Sequence, residues 1–316
     1  MNPKVSVICL CYNHAKFLEE AVLSVYHQTY KNVELIIVDD ASKDNSRNVI
    51  NNILQKYPDT KYIQNDVNLG MCKSFNKALL ISEGEYVIDL AADDLMLPER
   101  IEKQIAAFLN LDENYGVVFT DAMMVNENRE NLHTFYKRGM DGRLLEAVAD
   151  GNIFTQIVSR YYVCSPTIMM KKKVLEELGG YDGSLSYEDY DFFIRSSRIY
   201  KYYFLDEILT IKRDVKGSGS YSFYKRKKND HLESTFKVHK KYLWLCKNKE
   251  EMNAGLSSIR YHMRQSLFME CYSLCIEYFY LLKGLNKNSM VDKIIYSMAK
   301  ARLPLFKLYH LYQKWV

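Results

Sequence analysis

Apolar residues fall along this chain in two alternating rhythms. Val5–Cys11, Glu34–Asp39, Lys61–Gln64, Glu85–Leu90 and Val117–Thr120 are short runs, most of them rich in Val, Ile and Leu, with the length and composition of buried strands. Between them the period lengthens to that of a helix. Leu18, Ala21, Val22 and Val25 share one face of Phe17–His27, and Met71, Phe75, Ala78 and Leu79 share one face of Met71–Ile81. Val49–Tyr57 reads as a helix capped by Ser46 or a neighbour, and Pro98 opens another that runs to Leu109 and buries Ile101, Ile105 and Phe108. Strand alternating with helix predicts an α/β chain with a mainly parallel, doubly wound sheet.

The rhythm weakens over 121–165, where Asp141-Gly142 marks a turn and Gly151–Arg160 is helical. Pro166–Met170 reads as a strand, Lys172–Leu178 as a short helix ended by Gly179-Gly180, and Tyr187–Tyr200 as a helix with Glu188 and Asp189 in its first turn. From Ser222 onward the pattern is helical and rich in Tyr, Leu and Lys. The expected division is a body at 1–220, with 1–120 and 121–220 as its two halves, followed by a helical region at 221–316.

Two acidic pairs end strands: Asp39-Asp40 closes LIIVDD, and Asp93-Asp94 follows YVIDLAA. Open α/β sheets bind ligands at the carboxyl ends of their strands. Carboxylates gathered there suit a divalent cation, a ribose, or both. The loop after the first strand, Cys11-Tyr12-Asn13-His14-Ala15-Lys16, has no glycine, and no G-x-x-x-x-G-K-[ST] segment exists. Both absences argue against a dinucleotide oxidoreductase and a P-loop nucleotidase.

Charge changes the picture at the tail. Residues 1–220 carry 25 Lys and Arg against 32 Asp and Glu, a net −7, while 221–316 carry 18 against 7, a net +11. Met290, Val291, Ile294, Ile295 and Met298 recur at helical spacing beside Lys293 and Lys300, and LFKLYHLYQKWV follows Pro304. An amphipathic basic tail suits an anionic membrane surface, a docked helix or a dimer contact. No uninterrupted apolar run reaches the ~18 residues of a membrane span. The opening MNPKVSVICL lacks the layout of a secretory leader and continues as a strand. Seven scattered cysteines without a C-x-x-C pair are expected to be buried, reduced thiols in a cytoplasmic protein.

Three blocks carry a resemblance. VSVICLCYNHAKFLEEAVLSVYHQTYKNVELIIVDDASKDNS, NLGMCKSFNKALLISEGEYVIDLAADDLMLPERI and GGYDGSLSYEDYDFFIR resemble, in order, the opening, middle and catalytic blocks of the family 2 glycosyltransferases. The resemblance spans about residues 4 to 213. It implies a GT-A fold with a helical C-terminal extension, a nucleotide-sugar donor, Mn²⁺ or Mg²⁺, and inversion at the anomeric carbon. Asp39 then corresponds to the acid that accepts a hydrogen bond from the base, which favours UDP- or dTDP-sugars. Asn13, Asn68 and Gly70 correspond to loop positions beside the nucleotide, as does Asn65. Asp40 is the second acid of its pair, or a turn residue bonding its own backbone.

Asp93 and Asp94 match the end of the family's Asp-x-Asp motif, with Ala91 at its first position; Asp94 becomes the metal ligand, and Asp93 contacts ribose or metal. Asp189 becomes the general base and Glu188 its neighbour at the acceptor. Arg213 matches a family arginine and joins the residues implied to bind the nucleotide-sugar, and Val215 stands where many relatives have a histidine. Lys216 and the run at 225–228 are diphosphate donors or solvated surface lysines. The implied partners are a glycan or lipid-linked glycan acceptor in capsule, exopolysaccharide or O-antigen assembly, with no nucleic acid. Ala91 and Val215 keep open a second reading, a catalytically silent scaffold of the same fold.

Overall fold

The computed structural model describes residues 2–215 and 219–313. Lys216 and Trp315 lie outside them. The chain divides into two compact units, each with its own interior. The first comprises Met1–Ile153, Val163–Ser184 and Asp191–Val215; the second comprises Phe154–Tyr162, Leu185–Tyr190 and Lys216–Val316. The pattern along the sequence marked a single boundary near 220, whereas two short segments before it pack with the C-terminal helices.

In the first unit the order is β1 (Val5–Cys11), α1 (Ala15–Tyr26), β2 (Val33–Asp39), α2 (Ser46–Lys56), β3 (Lys61–Gln64), α3 (Met71–Ile81), β4 (Tyr86–Ala91), β5 (Leu95–Met96), α4 (Arg100–Leu109), β6 (Tyr115–Asn126) and β7 (Asn131–Thr134). After α5 (Phe154–Ser159), which belongs to the second unit, come a 3₁₀ turn at Ser165–Thr167, β8 (Met169–Lys171), α6 (Lys172–Glu177), α7 (Asp189–Ser197) and β9 (Lys201–Asp214). The nine strands form one sheet in the order β3-β2-β1-β4-β8-β6-β9-β5, with β7 on β6.

Strands β3, β2, β1 and β4 are parallel, and β6 runs parallel to β9. Strand β8 joins the two halves antiparallel to both β4 and β6, and β5 pairs antiparallel with β9. The sheet is therefore mixed in its second half, beyond the parallel arrangement that the alternation predicts. Strand β9 escapes a simple apolar reading because polar residues such as Asp206, Glu207 and Lys212 punctuate it. The core packs Leu18, Val22 and Val25 of α1, Ile50 and Ile53 of α2, and Ile101, Ile105 and Phe108 of α4 against strand residues such as Val7, Cys9, Ile37 and Ile88. The helix faces foreseen from the 3.6-residue period are the buried ones, except that Met71, at the start of α3, is exposed.

Strand order explains where a ligand belongs. The chain moves outward from β1 through β2 to β3, then crosses back to place β4 on the other side of β1. Such a reversal opens a crevice at the carboxyl ends of the strands. Asp39 ends β2 and the Asp93-Asp94 turn follows β4, with β1 between. Two strand spacings separate them, about 10 Å.

The second unit is helical: α8 (Asp230–Leu245), α9 (Lys249–Ala254), α10 (Leu256–Phe268), α11 (Tyr272–Gly284), α12 (Met290–Lys300) and α13 (Phe306–Gln313), after a 3₁₀ turn at Gly219–Tyr224. A buried polar core ties these helices together. His239 on α8 sits 3.0 Å from the Tyr278 hydroxyl on α11 and 3.0 Å from Ser258 Oγ on α10. Burial holds His239 well below the usual histidine value and brings His262 down to about 4, so both rings are neutral near pH 7. Six of the seven cysteines are buried thiols; Cys246 is half-buried.

Candidate active site

At the β2 edge three loops are laced together. Asn13 Oδ1 accepts the Lys43 N–H at 2.7 Å, the Asn13 N–H donates to Ser42 Oγ at 3.0 Å, and the Ala15 N–H donates to Asp44 Oδ2 at 3.0 Å. Asn13 and Ala41 both hold positive φ, 59° and 60°. For alanine that conformation is strained, and such strain gathers at functional sites.

Asp40 is not the self-bonded turn residue that its position allows. Its Oδ1 accepts from Asn65 Nδ2 at 2.9 Å and the Leu69 N–H at 2.8 Å, and its Oδ2 from the Gly70 N–H at 2.9 Å. It thus staples the β3–α3 loop to the end of β2. Lys77 Nζ reaches Asn65 Oδ1 at 2.8 Å and extends the staple to α3. Gly70 has φ of 80° with open space where a Cβ would lie, so the backbone angle and not crowding asks for glycine. Asn68 is exposed on the same loop.

Asp39 is fully buried. Its Oδ1 accepts the Ser42 N–H at 3.0 Å, and its Oδ2 accepts Arg47 Nε at 3.0 Å. Arg47, whose side chain is partly exposed, covers the carboxylate that the family resemblance assigns to the base. A uracil N3–H arriving at Oδ2 would share it with this guanidinium or displace it. Nothing in the local sequence singles out Arg47 for that place.

The second acidic pair is set by strand pairing. Leu95 lies opposite Ile211 and Met96 opposite Thr210 in the β5–β9 ladder, which brings Arg213 beside Asp94. The Arg213 N–H donates to Asp94 Oδ1 at 2.9 Å, and Arg213 Nη1 donates to the Asp93 carbonyl at 2.8 Å. Its guanidinium is 1% exposed, bonds Glu20 and lies 5.0 Å from the centre of the Phe17 ring. Arg213, the expected donor-site arginine, holds the Asp93-Asp94 turn through its backbone N–H and Nη1. Val215 is buried at the position of the missing histidine.

Asp94 is buried, and its Oδ1 accepts the Arg213 N–H. Desolvation, with the neighbouring Asp93 charge, pushes its carboxyl up to about 7 from the ordinary aspartate value. A carboxylate so poorly compensated suits a cation. Hard divalent ions commonly take one or two protein carboxylates and complete their shell with phosphate and water. The pair Asp93 and Asp94 fits that demand. Among the described residues no group of three His, Cys, Asp or Glu gathers into a metal cluster.

Two features of this edge were missed in the sequence. His14 places Nδ1 3.8 Å from Asp93 Oδ1, and that nitrogen is buried without a hydrogen-bond partner. Asp121, fully buried on β6, accepts Arg138 Nε at 2.7 Å, and Arg138 Nη2 reaches Asp206 at 2.6 Å. The signal was present: GVVFTD is an apolar run closed by an aspartate, the same signature as LIIVDD. Asp191 belongs with neither pair. It binds Arg195 at 2.7 Å, whose other nitrogens donate to the Leu178 and Gly180 carbonyls.

Glu188 and Asp189 belong to the second unit. Glu188 is largely buried, and Asp189 is the first residue of α7. Asp189 Oδ1 accepts the Tyr190 N–H at 2.6 Å, and Oδ2 accepts the Tyr161 hydroxyl at 3.1 Å. The run at 225–228 divides. Arg226 makes two bonds to Glu270 at 2.9 and 3.0 Å and stacks on Phe306, while the three lysines around it are exposed.

Comparison with known proteins agrees with this architecture. The family model described as Glycosyl transferase family 2 matches residues 6–179. An uncharacterized glycosyltransferase of Methanocaldococcus jannaschii is 30% identical over 240 residues, covering 75% of this chain and 79% of its own length. The putative glycosyltransferase EpsE of Bacillus subtilis is 36% identical over 197 residues, 61% of this chain and 66% of its own. Among solved structures, a mannosyltransferase from Pyrobaculum calidifontis in complex with GDP-Man and Mn²⁺ aligns with a TM-score of 0.61 at 18% identity, over 100% of this chain and 83% of that one. TarS 1-349 of S. aureus in complex with UDP-GlcNAc aligns with a TM-score of 0.60 at 18% identity, over 94% and 92%.

Proposed function

The chain belongs to glycosyl transferase family 2 and has the GT-A fold, and from that premise we propose that it transfers a sugar from a UDP- or dTDP-sugar to a hydroxyl of a glycan or lipid-linked glycan, with inversion. The observation that carries the reading is the buried Asp94 carboxyl beside Asp93 at the carboxyl end of β4, next to the strand-order reversal. Donor residues are Asn13, Asp39, Asn68, Gly70 and Asp93, and Asp94 with Asp93 would hold Mn²⁺ or Mg²⁺. Arg213 serves the donor site through the turn it braces. A bound divalent cation supplies positive charge against the departing diphosphate.

Asp189 takes the proton of the acceptor hydroxyl as that oxygen bonds to the anomeric carbon. The bond from that carbon to the diphosphate oxygen breaks, and its electron pair leaves with the nucleotide. Glu188 orients the acceptor or the base. Capsule, exopolysaccharide or O-antigen assembly is the setting we assign. A silent scaffold remains the second reading, favoured by Ala91 and Val215. Catalytic turnover separates the two.

Nucleotide choice tests the donor assignment. UDP is expected to bind more tightly than CDP, because Asp39 accepts a uracil N3–H and cytosine has none. Asp39→Ala should erase that preference, a change of ~1–3 kcal/mol for a donor left unpaired. Titration of UDP and CDP into wild type and variant measures it. Equal affinity of the wild type for UDP and CDP would remove Asp39 from the base.

The tail carries a further part of the reading, a cytoplasmic protein held at the inner membrane face. No helix among the described residues is long and apolar enough to cross a membrane. Helix α12 leaves Met290, Val291 and Ile294 72%, 59% and 51% exposed, with Lys293 and Lys300 on the same helix and exposed. An anionic leaflet attracts each nearby basic side chain by roughly 1 kcal/mol. The full chain should therefore co-sediment with anionic vesicles at low salt and be released at high salt. Ile294→Asp should weaken binding. Equal partition onto neutral and anionic vesicles would leave docking or dimerisation as the tail's role.

A further inference from the structure

The segment that carries Glu188 and Asp189 is gripped from within its own unit. The Ser186 N–H and hydroxyl meet Ser234 Oγ at 2.9 and 3.0 Å, and the Tyr187 hydroxyl meets Thr235 Oγ1 at 2.6 Å. The Tyr187 ring stacks on His231 with centroids 5.5 Å apart. All of these partners lie on α8, whose start is fixed by Asn229 Oδ1 accepting the Leu232 N–H at 2.9 Å. On the far side of the pair, Tyr190 packs edge-on to His239 of the same helix. Backbone and flanking side chains are therefore held. What remains is the orientation of the Asp189 carboxylate itself.

The side chain of Tyr161, from another element, reaches that carboxylate. Tyr161 donates its hydroxyl to Asp189 Oδ2 at 3.1 Å. Tyr161 is itself well placed to do so. It follows α5, whose Phe154, Ile157 and Val158 are buried, and it precedes buried Tyr162. Ser257 on α10 donates to the Ser159 carbonyl at 3.2 Å and pins the end of α5. Tyr161 is 49% exposed, so its ring is only half covered while its hydroxyl lies on the acid.

We propose that Tyr161 is a positioning residue for Asp189. Its O–H···O bond and the Tyr190 N–H bond each hold one carboxylate oxygen, and together they fix the plane of the group. A base transfers a proton efficiently only when its lone pair meets the hydroxyl within hydrogen-bond reach and in line. The inference rests on reading Asp189 as the acceptor base. The 154–162 segment packs with the unit that carries the pair.

The test is a double-mutant cycle on the full chain, with Tyr161→Phe, Asp189→Asn and the double variant assayed for transfer with radiolabelled donor. Tyr161→Phe removes one oxygen from a half-exposed ring, so folding should survive; a melting curve verifies this. Its kcat is expected to fall ~10-fold with the donor KM unchanged, the mark of a misaligned group and not of lost donor binding. In the Asp189→Asn background the same replacement should have no further effect, because the group it orients no longer takes a proton. A Tyr161→Phe rate equal to wild type overturns the proposal, as does an undiminished ~10-fold loss in the Asp189→Asn background. Wild-type transfer by Asp189→Asn alone would instead overturn the base assignment, and the proposal with it.

Discussion

Asp189→Asn is expected to lower glycosyl transfer by at least ~10²-fold while leaving UDP affinity unchanged. A positioned general base contributes ~10²–10⁴ in rate. Asparagine keeps the shape of the side chain and can still accept the Tyr161 hydroxyl, but it cannot take a proton near neutral pH. Structural loss should be small. Asp189 opens α7, where a carboxylate gains ~0.3–1 kcal/mol from the helix N-terminus. That is too little to unfold the protein and far below the ~2.7 kcal/mol that a hundredfold rate loss represents. Glu188→Gln should be milder. Transfer that survives Asp189→Asn and fails with Glu188→Gln would exchange the two roles.

Asp94→Asn is expected to abolish the dependence of UDP binding on Mn²⁺. The variant keeps an oxygen for the Arg213 N–H, which holds the turn in place, and loses the charge. Isothermal titration of UDP with and without Mn²⁺ measures the effect, and equal Mn²⁺ enhancement in both proteins would remove Asp94 from the metal site. The wild type should show a pH signature as well. Its carboxyl sits at about 7, so a cation arriving below that pH must displace a proton. Mn²⁺-dependent affinity should therefore climb as pH rises toward 7 and level off above it.

Stability of the metal-free protein should move the opposite way. A carboxyl raised above its unfolded value binds its proton more tightly in the folded state. The folded protein then loses stability as pH rises from the ordinary aspartate range through about 7. Asp94→Asn removes that loss, so above pH 7 and without metal the variant should melt no lower than the wild type.

How far the sequence could be read depends on the range of each interaction. Asp39 and the Asp93-Asp94 pair were visible because strand, acid and turn are adjacent in the chain. The helix faces of α1 and α4, and that of α3 apart from Met71, were visible for the same reason. Asp40 was not, because its partners Asn65, Leu69 and Gly70 lie 25 to 30 residues away. The contact of Arg213 with the Asp93-Asp94 turn was not legible either, because the β5–β9 ladder sets it and β5 is a two-residue strand. Asp121 carried a legible signature, but the region after it shows no clear period, and Arg138 and Asp206 are recognisable as its partners only in three dimensions. The grouping of 154–162 and 185–190 with the C-terminal helices likewise rests on hydroxyl pairs such as Ser186 with Ser234 and Tyr187 with Thr235. Hydroxyl side chains spaced 48 residues apart leave no periodic trace.

The central claim is that this protein is a working nucleotide-sugar transferase with a uracil- or thymine-selective site. The most direct measurement is release of free nucleotide by the purified full chain, with Mn²⁺, across UDP-, dTDP-, GDP- and CMP-sugars, without and with glycan acceptors. Turnover of at least one UDP- or dTDP-sugar, lost in Asp94→Asn, is the predicted result. Nucleotide binding without turnover of any donor, or turnover confined to GDP- or CMP-sugars, would contradict it.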